Sequence, residues 1–166
     1  MVKEIAKFIE DKTASFTIGT NLFEGHRLQD APDRCTCILE TGGSGLHFDL
    51  TDRVDKMIQV LSRAKSYFTA RADAMEVFNA LHTGAYGMAG HTLAAVAPAD
   101  QDYEAMVIEA VSDPQYIGQD EKRRCEFSCN YIFRLRNAKQ DKPIYVLHEY
   151  RFKIFRRLKC QIRTEI

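Results

Sequence analysis

Residues 125–136, CEFSCNYIFRLR, decide the fold. Apolar and polar side chains alternate along this stretch, and Ile132 is the only break in the alternation. A period of two residues is typical of a β-strand with one covered and one solvated face, as in many antiparallel sheets. The residues predicted to face the core are Cys125, Phe127, Cys129, Tyr131, Phe133 and Leu135.

Two amphipathic helices are predicted upstream of this strand. Apolar residues recur at helical spacing from Val2 to Ile9, with charged residues between them. A longer helix is predicted from Lys65 to His82, with Gly84 as its stop signal. Its expected core stripe is Phe68, Met75, Phe78 and Leu81, and its expected solvent face is Thr69, Asp73 and Glu76.

The remaining ordered chain reads as short strands at 15–19, 21–25, 34–40, 54–62, 91–97 and 104–112. Together with the two helices they predict an α+β fold, a single mostly antiparallel sheet with both helices packed on one face. The packing of Phe78 against the face that carries Phe127, Tyr131 and Phe133 is part of this prediction.

Length and composition indicate a single globular domain with ordinary chemistry. The chain has 166 residues, 45% hydrophobic and 28% charged, and its formal net charge is zero. A neutral chain gives no global signal for nucleic acid. No apolar run approaches the roughly 18 residues of a transmembrane helix, and acids near Met1 are unlike a signal peptide. We therefore expect a protein without a membrane partner that is made in the cytoplasm.

Charge divides the chain into two parts. Residues 1–136 carry a net charge of −5 and residues 137–166 a net charge of +5. The boundary falls at NAKQDKP, residues 137–143, which reads as a linker or long turn. We therefore predict an α+β domain over 1–136 and a basic C-terminal extension over 137–166.

The sequence does not decide between a strand and a helix for the extension. Tyr150, Phe152 and Ile154 alternate as in a strand, whereas Leu147, Tyr150 and Ile154 also have helical spacing. One interpretation is an extra element docked on the same protomer. The other is an arm that packs on a neighbouring subunit and presents a basic face to an acidic surface or to DNA. That basic face is Arg151, Lys153, Arg156 and Arg157.

No cofactor, metal or catalytic site is predicted. Five cysteines are an odd set, and Cys125 and Cys129 would lie about 13 Å apart in a strand, too far to share a zinc ion. They are better interpreted as small apolar fillers. The TGGSG turn at 41–45 lacks the lysine of a phosphate-binding loop, and the five histidines have no ligand spacing.

One pattern does suggest catalysis. Pro32-Asp33 with Asp120-x-Lys122 matches the PD…DxK arrangement of restriction-like nucleases, in which two acids hold Mg²⁺ and the lysine polarises the attacking water or scissile phosphate. However, Asp120 lies 87 residues after Asp33 and precedes a strand instead of lying on one. A solvated turn is the preferred interpretation.

Four segments in a fixed order resemble the small minor-capsid or tail-terminator (tail completion) proteins of tailed bacteriophages and prophages. They are APDRCTCILETGG, IQVLSRAKSYFTARADAMEVFNALH, YEAMVIEAVSDPQYIGQDEKRR and EFSCNYIFRLR, within roughly residues 3–136. In that family, glycine often stands where this chain has Arg123. The resemblance implies a non-enzymatic subunit that forms a ring, commonly sixfold, caps the tail tube and joins it to the head.

The partners implied by this resemblance are a second copy of the chain, the tail tube protein and head–tail connector proteins, with DNA passing through the lumen non-specifically. The implied location is the virion neck, after assembly in the bacterial cytoplasm. A head-completion or connector protein that contacts the portal is the alternative. The segment 113–124 is then predicted to be a partner-binding loop or arm, through Asp113, Gln115, Tyr116, Gln119, Asp120, Glu121, Lys122, Arg123 and Arg124.

Overall fold

The computed structural model describes residues 1–26, 30–43, 53–82, 91–93 and 103–137. These residues form two helices, α1 (Val2–Lys12) and α2 (Tyr67–Leu81). They also form seven strands: β1 (Leu22–Glu24), β2 (Cys35–Gly42), β3 (Arg53–Ala64), β4 (His91–Leu93), β5 (Tyr103–Ala110), β6 (Gln115–Gln119) and β7 (Cys125–Asn137). No helix within the described ranges is long and apolar enough to cross a membrane.

All seven strands belong to one sheet. Its order is β1-β2-β3-β7-β5-β4, and β6 also pairs with β7. Only the pairing of β1 with β2 is parallel among the described strands. The longest ladder joins β3 to β7, from Arg53 opposite Arg136 to Ala64 opposite Cys125. The strand that was predicted from its alternation is therefore the centre of the sheet, and the α+β fold class is confirmed.

Both helices pack on the same face of this sheet. Ile5 and Ile9 of α1 and Val77 and Leu81 of α2 join one buried cluster with the inward residues of the central strands. That cluster includes Ile58, Val60, Cys129, Tyr131, Phe133 and Leu135. Ile132, the break in the alternation, points to the other face, where its register partner Met57 is 37% exposed.

The predicted orientation of α2 was wrong at two positions. Phe68, assigned to the core, is 79% exposed, and Asp73, assigned to solvent, is only 2% exposed. The buried side of α2 carries Ala70, Asp73, Ala74, Val77 and Leu81. Ala70 and Ala74 in the first half of the helix pack against Ala64, Cys125 and Phe127 of the sheet, and the Phe68 ring lies outside this contact.

Burial of Asp73 is possible because it has a dedicated cation. Arg34 donates from Nε to Oδ2 at 2.9 Å and from Nη2 to Oδ1 at 2.7 Å. A bidentate guanidinium offsets the cost of removing a carboxylate from water.

Phe78 is half-buried, packs against the core cluster and stacks on His82 with 5.0 Å between ring centroids.

The predictions for the short strands and the cysteines have mixed outcomes. Strands at 34–40, 54–62 and 104–112 correspond to β2, β3 and β5, whereas 15–19 contributes only an isolated bridge at Ile18. Four cysteines, Cys35, Cys37, Cys125 and Cys129, are buried. Gly84, Ser44, Cys160 and the whole of 138–166 lie outside the described residues.

Candidate functional site

The segment 113–124, which was predicted to be a partner-binding loop or arm, contains the strand β6. β5 pairs with Tyr131–Asn137 and β6 pairs with Cys125–Ser128, so both lie along the same edge of β7. Between them the Val111 N–H donates to the Asn130 carbonyl at 2.8 Å. Asp113 and Pro114 therefore interrupt one long antiparallel edge instead of leading away from the sheet. Within the described ranges, no strand pairs with the outer edge of β6.

A tight hairpin, Asp120–Arg124, joins β6 to β7. The Asp120 N–H donates to the Arg124 carbonyl at 3.0 Å, and the Arg123 N–H donates to the Asp120 carbonyl at 2.9 Å. Asp120 Oδ1 also accepts the N–H groups of Lys122 and Arg124, both at 3.0 Å. The turn ends with Arg123 in the left-handed region at φ 58°. This pattern is the three-residue hairpin loop that ends in a left-handed residue, a position where glycine is usual.

A group of paired charges, which we call the charge cluster, fixes the base of this hairpin. It consists of Asp33, Arg63, Lys65, Asp120 and Arg124. Arg124 donates from Nε to Asp120 at 2.7 Å and from Nη1 to Asp33 at 3.1 Å. Lys65 approaches Asp33 at 2.8 Å, and Arg63 approaches Asp120 at 3.5 Å. The cluster thus joins the turn before β2, the end of β3 and the hairpin.

The two arginines of the charge cluster are buried, whereas Lys65 and Asp33 lie at its exposed edge. The side chains of Arg63 and Arg124 are only 3% and 7% exposed. Arg63 also donates to the carbonyls of Ala31 and Pro32 at 3.2 Å and 2.9 Å. Hydrogen bonding from Arg124 lowers the pKa of Asp120 to about 2. Lys65 and then Arg124 likewise hold the pKa of Asp33 below its usual value.

The nuclease-like pattern is explained by this cluster. Asp33 and Asp120 do come together, but Arg124 lies between them and donates to both. A magnesium site needs carboxylates whose charge is available to the ion, whereas these two are compensated by guanidinium and ammonium groups. Among the described residues, no group of three or more His, Cys, Asp or Glu side chains is placed to hold a metal.

An exposed apolar patch lies beside the charge cluster, where α2 begins next to β6. We define it as Tyr67, Phe68, Tyr116 and Ile117, which are 41%, 79%, 45% and 54% exposed. Tyr67 contacts Phe68 and Tyr116 with ring centroids 5.6 Å and 5.3 Å apart. Both tyrosines also rest on the buried Phe127, at 5.1 Å and 5.5 Å. The three aromatic members of the patch therefore form a supported surface and are not isolated side chains.

Sequence reasoning identified only one member of this patch, Tyr116. Phe68 was assigned to the core, and neither Tyr67 nor Ile117 was selected. Ile117 is at an irregularity in the pairing of β6 with β7, between Tyr116 and Gly118, and Gly118 has φ 124°. A bulge of this kind turns a side chain away from the regular alternation, so a strict period of two could not have placed it.

The structure divides the other predicted site residues into three groups. Asp113, Gln115, Gln119, Glu121, Lys122 and Arg123 are exposed. Asp120 and Arg124 pair with each other below the hairpin tip. Arg151, Lys153, Arg156 and Arg157 lie outside the described residues.

Comparison with known proteins agrees with this architecture. A family model described as bacteriophage tail terminator protein matches residues 17–137, which is more than half of the chain. The match spans the sheet from β1 to the end of β7, together with α2, the hairpin and the apolar patch, and it begins after α1. No curated protein matches the chain at a significant level. The chain therefore belongs to the bacteriophage tail terminator protein family.

Proposed function

We propose that this protein assembles into a ring that caps the tail tube and joins the finished tail to the head. Membership of the tail terminator family supports a structural role in the phage tail. The proposal of a ring that contacts the tail tube rests on the apolar patch and on the charge cluster beside it. Contiguous exposed apolar surface of this kind commonly marks a protein–protein contact.

The composition of the patch is suited to binding. Tyr67 and Tyr116 rest on the buried Phe127, the exposed Phe68 ring contacts Tyr67, and the exposed Ile117 follows Tyr116 in β6. Aromatic anchors near the centre of an interface, with charged residues around them, carry most of the binding energy in typical complexes. In a ring of identical subunits, such a patch meets a different surface on the neighbour.

The extension 137–166 is proposed as an assembly arm. Its net charge of +5 complements the net charge of −5 on residues 1–136. Arg151, Lys153, Arg156 and Arg157 would then contact an acidic surface of another subunit or the passing DNA. Deletion of 138–166 is expected to leave a folded protomer that assembles poorly. An unfolded truncated chain would instead show that the extension belongs to the core.

Salt gives a second test of the charge contribution. Exposed charge pairs are screened beyond about 8–10 Å at physiological ionic strength. Rings held partly by charge should therefore persist to lower protein concentrations in dilute buffer than in molar salt. An oligomer size that is unchanged between low and molar salt would argue against a charge-led interface.

A head-completion or connector protein remains the second candidate, because it also uses a ring and a rigid contact surface. Binding to portal complexes but not to tail tubes would favour it. The two candidates are separated by the partner and not by the ring itself.

The ring can be tested through the most exposed aromatic residue. Mass photometry and negative-stain electron microscopy of the full chain should show closed rings. Phe68→Ser should leave the melting temperature of the protomer nearly unchanged, because the side chain is 79% exposed, yet should reduce the ring population. Arg71→Ser, an exposed position on the same helix, is the matched control. Rings that form equally well with Phe68→Ser would contradict a role for the patch, and a wild-type chain that never associates would contradict the ring.

A further inference from the structure

We propose that Arg123, at the tip of the Asp120–Arg124 hairpin, binds a carboxylate on a second copy of this chain. The inference rests on the proposed ring and names one contact within it. It follows from three features of the hairpin: its backbone conformation, its rigidity and its charge.

The backbone conformation is unfavourable for arginine. Arg123 is the one non-glycine residue with positive φ in the described part of the chain, at 58°, whereas Gly19, Gly25, Gly42 and Gly118 are the other positive-φ residues there. A side chain in this region places Cβ too close to the backbone, and glycine avoids that cost. The hairpin closes through the Arg123 backbone N–H, not through its guanidinium. Within the described residues, no hydrogen bond or ion pair ties the Arg123 guanidinium to the protomer, which indicates that its use lies outside the protomer.

The hairpin is rigid before it meets a partner. Asp120 holds the N–H groups of Lys122 and Arg124, and the buried Arg124 ties Asp120 to Asp33. Glu121, Lys122 and Arg123 are exposed above this base. A preformed tip loses little backbone freedom on binding, so a contact made there is favoured over one made by a mobile loop.

The position of the tip suits a contact next to the apolar patch. β6 carries Tyr116 and Ile117 and then enters the hairpin at Asp120. At about 3.3 Å per residue, the hairpin begins roughly 13 Å from Tyr116. An aromatic centre with a guanidinium at its edge is the arrangement typical of interface hot spots.

Charge selects a second copy of the chain as the partner. Residues 1–136 have a net charge of −5, although the hairpin itself holds three basic and two acidic residues. Residues 1–136 of a neighbouring protomer therefore offer five more acidic than basic side chains. Opposite charges across a head-to-tail interface fix its register. The exposed tip has two cations and one acid, which is not the extended basic stripe that duplex DNA requires.

Three substitutions at this position separate a binding role from a structural one. Arg123→Gly removes the backbone strain and the charge, Arg123→Asn keeps tolerance of the left-handed region without the charge, and Arg123→Lys keeps the charge and the strain. Each is made in the full chain, and two quantities are measured: the melting temperature of the protomer at low concentration, and the protein concentration at which half of the chains are in rings.

Arg123→Gly and Arg123→Asn should raise the melting temperature, Arg123→Gly by about 2–4 °C, because strain is relieved. The same two variants should raise the half-assembly concentration by about fivefold, the loss expected for one charged contact of about 1 kcal/mol. Arg123→Lys should assemble within about twofold of the wild type. A residue with only a structural role would not improve the protomer and impair the ring together.

The outcomes that overturn the proposal are distinct from those that overturn the ring. Rings that form normally with Arg123→Gly exclude this contact and leave the proposed function intact. Normal rings with weaker binding of Arg123→Gly to duplex DNA would assign the residue to nucleic acid instead. A wild-type chain that stays monomeric overturns both the ring and the contact.

Discussion

Replacement of Asp120 by alanine should destabilise the protomer strongly, although the residue lies on a surface hairpin. Its side chain is 12% exposed and accepts hydrogen bonds from the backbone of Lys122 and Arg124 and from the Arg124 guanidinium. The carboxylate thus supports the turn and neutralises a buried cation at the same time.

The size of the effect follows from these contacts. Loss of an acceptor for two backbone N–H groups costs about 0.5–1.5 kcal/mol each, with the lower value for the exposed Lys122. Removal of one partner from a buried ion pair costs about 3–5 kcal/mol when nothing replaces it. Arg124 keeps Asp33, and Arg63 keeps two carbonyl acceptors, so a smaller loss is expected here. We expect a total of about 3 kcal/mol, or a melting temperature lower by about 6–12 °C.

Thermal and urea unfolding of the protomer would measure this loss. Asp120→Asn keeps an acceptor for the backbone and loses only the charge, so its cost should be about 1–2 kcal/mol. Glu121→Ala, in the same hairpin and exposed, is the matched control and should change stability by no more than about 0.5 kcal/mol. If Asp120→Ala unfolds like the control, the charge cluster does not hold the hairpin. If the wild type cleaves DNA with Mg²⁺ and Asp120→Asn abolishes cleavage at unchanged stability, the carboxylate is catalytic and the structural interpretation is refuted.

Three further predictions concern the core and acid stability. Leu81→Ala should cost about 2–5 kcal/mol and more than Phe78→Ala, because Leu81 is fully buried and Phe78 only partly so; equal or reversed losses in urea unfolding would contradict the observed face of α2. Asp73→Ala should cost about 1–2 kcal/mol, because it removes two charged hydrogen bonds but leaves Arg34, which is 54% exposed, in contact with water; a neutral result by calorimetry would show that the pair is dispensable. The pKa of Asp120 is lowered from 3.8 to about 2, so its stabilisation is complete above about pH 4–5 and is lost as the pH falls through 2. The difference in melting temperature between wild type and Asp120→Asn should therefore shrink between pH 5 and pH 2, and a constant difference would be evidence against this linkage.

The central strand was predictable because its signal is local. Each inward residue from Cys125 to Leu135 is two positions from the next, and the pattern depends on no distant partner. The orientation of α2 was not predictable in the same way, because two different faces of that helix satisfy helical spacing. The structure chooses the face with Asp73, and that choice depends on Arg34, which lies 39 residues earlier.

The candidate site also depends on residues that are distant in sequence, so local patterns predicted it only in part. The acids Asp33 and Asp120 were recognised as a pair from a short pattern, but their chemistry depends on Arg124, which donates to both. The apolar patch brings the start of α2 against β6, two elements separated by a large part of the chain. No local periodicity reports such a contact, and the left-handed conformation of Arg123 is likewise visible only in the folded hairpin.

Imaging of the protein on tail tubes tests the central proposal most directly. Purified full-length chain would be mixed with preassembled tubes of the cognate tail tube protein, and the complexes would be examined by cryo-electron microscopy. We expect ring-shaped density at one end of each tube and no further elongation when free tube protein is added. Tubes that stay bare, bind the protein along their sides, or continue to elongate at saturating protein would contradict a tail terminator function for this chain.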